Sequence, residues 1–248
     1  MLTKDEAICL RAVDYSETSQ VVTLFARRAG KVRAIAKGSK RAKSAFDGPL
    51  EPLSFGAIVF AGAHKDKLAT LTEFQPQPVR GTVRRSLVAL QDALLAAELL
   101  DLLTEEYDPH VDLFDQFLRF LQDIDEGQVG PDRRDLLIRL ILFQLALLHE
   151  VGLRPILGAC ANCKRPFGAD GREVYFSASA NGLVCRDCEA SFPDRVRLSR
   201  QAAHCLADLQ RIAQADRATL DEIERVLIHH FTHLLGRPPK MAAPVLAV

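Results

Sequence analysis

A change of period near residue 76 constrains the fold of this chain more than any other feature. Before it, the sequence comes in short apolar and β-branched runs at 7–13, 20–26, 31–37, 56–62 and 68–74, separated by glycine, proline and polar residues. Runs of that length and composition predict strands. After it, Leu87, Leu90, Leu94 and Ala97 recur at helical spacing. Gln75-Pro76-Gln77-Pro78 divides the two regimes, because proline has no N–H to give to a ladder. Five short strands predict a small closed barrel, of which the OB-fold is the five-stranded case; too few residues remain to cover both faces of an open meander. Helices are expected over 81–106, 110–125, 132–151, 199–214 and 216–235. The third is apolar almost all round through 142–148, which suits the buried centre of a helical lobe. The expected class is α+β and multidomain. A barrel spans 1–79, a helical lobe spans 80–155 and resumes over 193–248, and a small module at 156–192 is inserted into it.

The module carries the most specific chemistry. Cys160-x2-Cys163 and Cys185-x2-Cys188 are separated by 21 residues. Each C-x2-C turn aims two sulfurs at one point, and two such turns close a tetrahedron about Zn²⁺. The gap is about one residue longer than the usual ribbon range, which a loop absorbs. Disulfides would need an oxidising compartment, and a redox C-x-x-C would need only one pair. The expectation is therefore one structural zinc ion on Cys160, Cys163, Cys185 and Cys188. All four positions are then filled by protein, leaving none for a reacting water.

Charge is distributed unevenly on a chain of formal net charge zero. Eight cations, Arg27, Arg28, Lys31, Arg33, Lys37, Lys40, Arg41 and Lys43, fall within seventeen residues with no acid among them. A compact basic surface concentrates polyanions, nucleic acid above all. If extended, 31–37 places Lys31, Arg33, Ile35 and Lys37 on one face and Val32, Ala34 and Ala36 on the other. Arg27-Arg28-Ala29-Gly30 reads as the preceding hairpin turn, and 38–43 as a loop ordered by a phosphate backbone. By contrast, 90–130 carries eleven acids and one arginine, Arg119, a face a DNA strand should avoid.

Other signatures are missing. No nucleotide loop, G-x-S-x-G, H-E-x-x-H or S-x-x-K occurs, and the H-x-E of zinc deaminases is absent, which favours a binding protein over an enzyme. Cys9 and Cys205 read as buried thiols. His229 and His233 share a helical face but lack a third ligand nearby in sequence. Charged residues from Lys4 to Asp14 break any export signal, and the most apolar run, 136–148, is too short to cross a bilayer. A soluble, cytoplasmic protein without membrane attachment is expected.

Residues 7–26, opening Ala7-Ile8-Cys9-Leu10, resemble the start of the bacterial RecO family. So do Gly30-Lys31-Val32-Arg33 through Gly38, Lys43-Ser44-Ala45-Phe46 through Leu53, and Gly152-Leu153-Arg154-Pro155 before the cysteines. The resemblance runs nearly end to end, and the tetrad supports it without deciding it. It implies an N-terminal OB-fold, a helical lobe and an inserted zinc module. It also implies a mediator of DNA repair by recombination that binds single- and double-stranded DNA and anneals complementary strands. The partners implied are RecR, the acidic C-terminal tail of single-strand binding protein (SSB) and, functionally, RecA. For the SSB tail the resemblance suggests an apolar groove rimmed by cations in the helical lobe, with Arg133, Arg134 and Arg139 as candidates. A zinc-containing RNA-binding protein, or an RNA-modifying enzyme with an OB anchor, is the alternative reading of the same residues.

Overall fold

The structure is a computed structural model that describes residues 2–41, 44–46, 48–62, 67–77, 86–125, 132–167 and 173–247. The chain divides into two compact units, 1–130 and 131–248.

In the first unit, β1 (Leu2–Asp14), β2 (Gln20–Ala26), β3 (Gly30–Ala36), β4 (Phe55–Ala61) and β5 (Ala69–Pro76) close a barrel in the order β1-β2-β3-β5-β4, with β4 returning to β1. This is the expected five-stranded OB-fold barrel. All pairings are antiparallel except β3 with β5. Inward residues are small on β3 (Val32, Ala34, Ala36) and larger on β4 (Ile58, Phe60), and all are buried. Phe46 and Leu50, from the β3–β4 connection, pack against the same core. Register shifts at Cys9/Arg11 and Val59/Phe60 mark bulges, which bend strands enough to close so small a barrel. β1 begins at Leu2, five residues before its expected start, because a polar stretch pairs with β4 throughout. Pro76 ends β5 at a position where a missing donor costs no ladder bond.

Two helices complete this unit: α1 (Leu87–Leu103) and α2 (Val111–Asp125). Ser86 accepts the Ala89 N–H and caps α1. Phe25, on the outer face of β2, is fully buried against Phe114 of α2, with ring centroids 6.0 Å apart. The acidic helices thus lie on the barrel. The sequence boundary expected at residue 79 separates strands from helices; the compact unit extends to 130.

The second unit pairs α3 (Arg133–Glu150) with α5 (Arg217–Leu235). Their interface buries Leu140, Leu147, Ile223 and Leu227, and also Gln144, which donates to Glu224 at 2.8 Å. A three-stranded sheet, β6 (Val174–Ser177), β7 (Gly182–Cys185) and β8 (Val196–Leu198), is ordered β7-β6-β8. The third strand is too short, with two of its three residues exposed, to leave a sequence signal. The helix expected over 199–214 is interrupted. α4 (Arg200–Ala207) stops at Asp208, whose carboxylate accepts the Gln210 N–H and starts a separate 3-10 segment, Leu209–Gln214. A short α6 (Ala242–Leu246) follows. No helix among the described residues is long and apolar enough to cross a membrane.

Candidate nucleic-acid interface and metal centre

The hairpin β2–β3 divides the basic run between its two ends. Strand residues 20–26 separate them by roughly 20 Å at about 3.3 Å per residue. At the turn end, Asp5 accepts the backbone N–H groups of Arg28 and Ala29 at 3.0 and 2.9 Å. Gly30 closes this turn at φ +70°, and a Cβ there would lie 2.2 Å from the Asp108 carbonyl oxygen. Arg27 is held by Glu6 at 3.2 Å and Asp115 at 2.8 Å, with its guanidinium 5.1 Å over the Phe114 ring.

Lys31 departs furthest from the expected outward row of cations. It is 8% exposed, and its ammonium donates to the carbonyls of Asp101 at 2.5 Å and Thr104 at 2.6 Å, with the Asp101 carboxylate 3.7 Å away. These are unpaired carbonyls at the C-terminal end of α1, where the helix dipole favours a cation. Lys31 therefore caps a helix from the barrel side. The backbone reinforces this: Tyr107 N–H donates to the Lys31 carbonyl at 3.0 Å. Arg33, midway along β3, is half exposed and lies 3.5 Å from Glu106.

The far end carries the accessible charge. Gly38 takes φ +74°, and the Arg41 N–H donates to its carbonyl at 3.1 Å, so 38–41 forms a defined turn in place of the expected open loop. Buried Gln20 anchors it. Its amide oxygen accepts from Ser39 Oγ at 3.0 Å and from the Leu50 N–H at 2.9 Å, while its amide nitrogen donates to the Leu50 carbonyl at 3.2 Å. Lys37 and Arg41 are exposed here, and Lys40 pairs with Asp14 at 2.6 Å. Among the described residues, no side-chain partner occurs for Arg28, Lys37 or Arg41. Lys43 lies outside the described residues.

The sulfur atoms of Cys160, Cys163, Cys185 and Cys188 all lie within 4.8 Å of one another. The separation of Cys163 and Cys185 is 3.8 Å, close to the tetrahedral edge of about 3.8 Å that follows from a Zn–S bond of about 2.3 Å. It is far from the roughly 2 Å of a disulfide. Two turns build the cluster. Lys164, at φ +63°, donates its N–H to the Cys160 carbonyl at 2.9 Å, and the Cys188 N–H donates to the Cys185 carbonyl at 3.0 Å. Gly182 lets β7 approach residue 156: a Cβ would sit 2.3 Å from the Ile156 carbonyl oxygen. Phe167, Val184 and Phe192 pack around the sulfurs. Burial opposes ionisation of Cys160, but hydrogen bonds, led by the backbone of Cys163 and Cys185, outweigh it and bring the thiol down to about 6. Burial and the neighbouring sulfurs push Cys185 up to about 12. The four cysteines fit a tetrahedral, thiolate-preferring metal ion, and no other group of three or more His, Cys, Asp or Glu among the described residues could hold one.

The remaining candidates have structural partners. Arg133 donates to the Val245 carbonyl at 3.0 Å, and Arg134 to the carbonyls of Ala215 and Ala213 at 2.9 and 2.6 Å. Cys9 is buried, which pushes its thiol up to about 12, and burial also raises Cys205. His229 approaches Asp194 at 3.9 Å. The second unit holds a small apolar groove, of about 210 Å³, where Leu142, Leu145 and Leu209 meet His149 and Arg154, residues that sequence reasoning did not assign to the expected groove. Leu142 is 41% exposed there, a break in the apolar surface of α3 that periodicity does not show.

Family models described as "Recombination protein O N terminal" and "Recombination protein O C terminal" match residues 1–77 and 84–242. Among curated proteins, the chain is 32% identical over 243 residues to a DNA repair protein RecO of Bacillus pumilus, covering 95% of this chain and 90% of that one. It is 33% identical over 240 residues to the namesake of Rhodopirellula baltica, covering 96% and 83%.

Proposed function

Because the chain belongs to the RecO family of bacterial DNA repair and recombination proteins, we propose that it is a non-enzymatic recombination mediator acting in the cytoplasm. It binds single- and double-stranded DNA, anneals complementary strands and, with RecR, helps load RecA onto SSB-coated single strands. The observation that carries this reading is the basic corner at 37–41, where Lys37 and Arg41 stand exposed beside a Lys40 that pairs with Asp14. Cations there neutralise phosphates on both strands and lower the repulsion that keeps complements apart. Such contacts carry little sequence information, as annealing of arbitrary strands requires. Arg28 and Arg33 supply secondary contacts along the hairpin. The metal is one Zn²⁺; it fastens the module and takes no part in chemistry. The acidic tail of SSB seats in the groove formed by Leu142, Leu145 and Leu209, with Arg154 taking its carboxylates.

The test is fluorescence-monitored annealing of SSB-coated complementary oligonucleotides. Wild type should accelerate annealing, and Lys37→Glu/Lys40→Glu/Arg41→Glu should not. Affinity should fall with salt at a log–log slope of about −0.7 per phosphate on single strands. Failure of wild type to accelerate, together with tight binding to structured RNA, would instead establish an RNA-binding protein.

A further inference from the structure

A cavity of about 480 Å³ lies between the β6–β7–β8 sheet and α4, distinct from both the barrel and the groove beside α3. Its rim carries Arg165, Arg186, Arg197 and Arg200 against Glu173 and Asp187, so cations exceed acids by two among the described residues. Arg186 and Arg197 share the single carboxylate of Glu173, and Arg165 faces Asp187 at 2.7 Å. No side-chain partner of Arg200 occurs among the described residues. The floor is apolar, with Phe167, Leu198 and Ala203.

We propose that this cavity is a second nucleic-acid site, which takes one nucleotide of a single strand. The proposal rests on the DNA-binding reading above and extends it to the second unit. Three features select a nucleotide. The fixed charges of the rim are guanidinium groups, whose planar forks match phosphate oxygens two at a time. Phe167, which is partly buried, is the phenyl ring among the residues lining the cavity, and stacking on an aromatic ring is how bases of any sequence are held. The volume falls in the range of sites that enclose a small ligand. The cluster ligand Cys185 also lines the cavity, and a metal bound by four thiolates carries net negative charge. The phosphate therefore belongs at the opposite edge. Cys185 pairs with Val174, which pairs with Leu198, so two strand spacings, about 10 Å, separate Cys185 from the strand leading into Arg200. At that edge α4 begins; Ser199 caps the Ala202 N–H and Glu222 accepts the Ser199 N–H at 2.7 Å, which leaves the first-turn N–H groups of Arg200 and Gln201 to add to the attraction of Arg197 and Arg200 for a phosphate.

The experiment measures anisotropy of a labelled oligo-dT with the full zinc-loaded chain, comparing wild type, Arg197→Gln/Arg200→Gln, Phe167→Ala and the barrel variant Lys37→Glu/Lys40→Glu/Arg41→Glu. One neutralised phosphate contributes about fivefold at 0.1 M salt relative to 1 M, so the double arginine variant should bind about that much more weakly and show a salt slope shallower by about 0.7. Phe167→Ala should weaken binding at every salt concentration without changing the slope. Photocrosslinking of a 5-iododeoxyuridine strand should mark the peptide containing Phe167. All three cavity residues are at least partly exposed, and matching thermal melts and zinc content would exclude misfolding. If the cavity variants bind as wild type while the barrel variant fails, and crosslinks fall only on the barrel, this site is refuted and the barrel reading stands. If wild type binds no DNA at all, the parent reading falls. Unchanged DNA binding with lost affinity for a labelled acidic peptide would overturn the proposal in favour of a peptide site.

Discussion

Lys31 gives the sharpest separation between what charge suggests and what packing does. The substitution Lys31→Met keeps the apolar stem and removes the ammonium. It deletes two hydrogen bonds to the carbonyls of Asp101 and Thr104 and the cation at the end of α1. A hydrogen bond to a charged group contributes about 1.5–3 kcal/mol net, and a cation at a helix C-terminus about 0.3–1 kcal/mol. The contributions overlap, and water can reach part of the exposed helix end, so the expected loss is about 3 kcal/mol. That is a large fraction of a stability of about 5–15 kcal/mol, and for a protein of this size it lowers the melting temperature by roughly 6–12 °C. Affinity for single-stranded DNA should stay within about twofold, because a buried ammonium has no phosphate to release; a lost phosphate contact would cost about fivefold at 0.1 M salt. Urea titration and oligonucleotide anisotropy on the same samples read both quantities. Lys37→Met should give the mirror image, with stability held within about 0.5 kcal/mol and affinity reduced about fivefold. Unchanged stability with a fivefold loss of DNA affinity in Lys31→Met would refute the capping argument and return Lys31 to the DNA-contact set.

Gly30→Ala should destabilise the first unit by more than the ~1–2 kcal/mol of a left-handed alanine, since its Cβ would meet the Asp108 carbonyl; a melt within 1 °C of wild type would count against that close approach. Cys185→Ser should abolish the one zinc per chain released by thiol oxidation and lower the stability of the second unit, whereas metal-free wild type with an unaltered melt would argue against a structural zinc. Asp194 is only partly buried, and hydrogen bonds from the Ser179 hydroxyl and N–H and the Ser177 hydroxyl outweigh that burial and hold its carboxyl down at about 2, against 3.8 when unfolded. A lowered folded pKa means that the stabilisation is complete above pH 3.8 and disappears as pH falls toward 2. It amounts to about 2 kcal/mol. Asp194→Asn should therefore lose stability at pH 6 and show a weaker decline between pH 4 and 2; an unaltered acid profile would refute this assignment.

The strands, the long helices and the four cysteines were legible in the sequence because each rests on local periodicity or spacing. Alternation along 31–37 marks the same inward residues, Val32, Ala34 and Ala36, that help fill the barrel. C-x2-C fixes its own turn, so two such turns announce a cluster before their meeting point is known. Elements governed by a competing side chain or by a distant partner were not legible. Asp208 ends α4 by bonding its own neighbour, and β8 is a strand only because β6 is there to pair with it.

The basic run is where the two kinds of information part. By itself the sequence determined that eight cations lie together and that strand alternation turns Val32, Ala34 and Ala36 inward. Tertiary structure alone decided which of those cations are buried or ion-paired and which stand exposed. Apart from Glu6 of β1 beside Arg27, the acids that occupy Arg27, Lys31 and Arg33 come from α2, the end of α1 and the segment after it, 70 or more residues away. Charge density is a property of the chain. Charge availability depends on burial and on partners that come within a few ångströms only when the helices settle on the barrel.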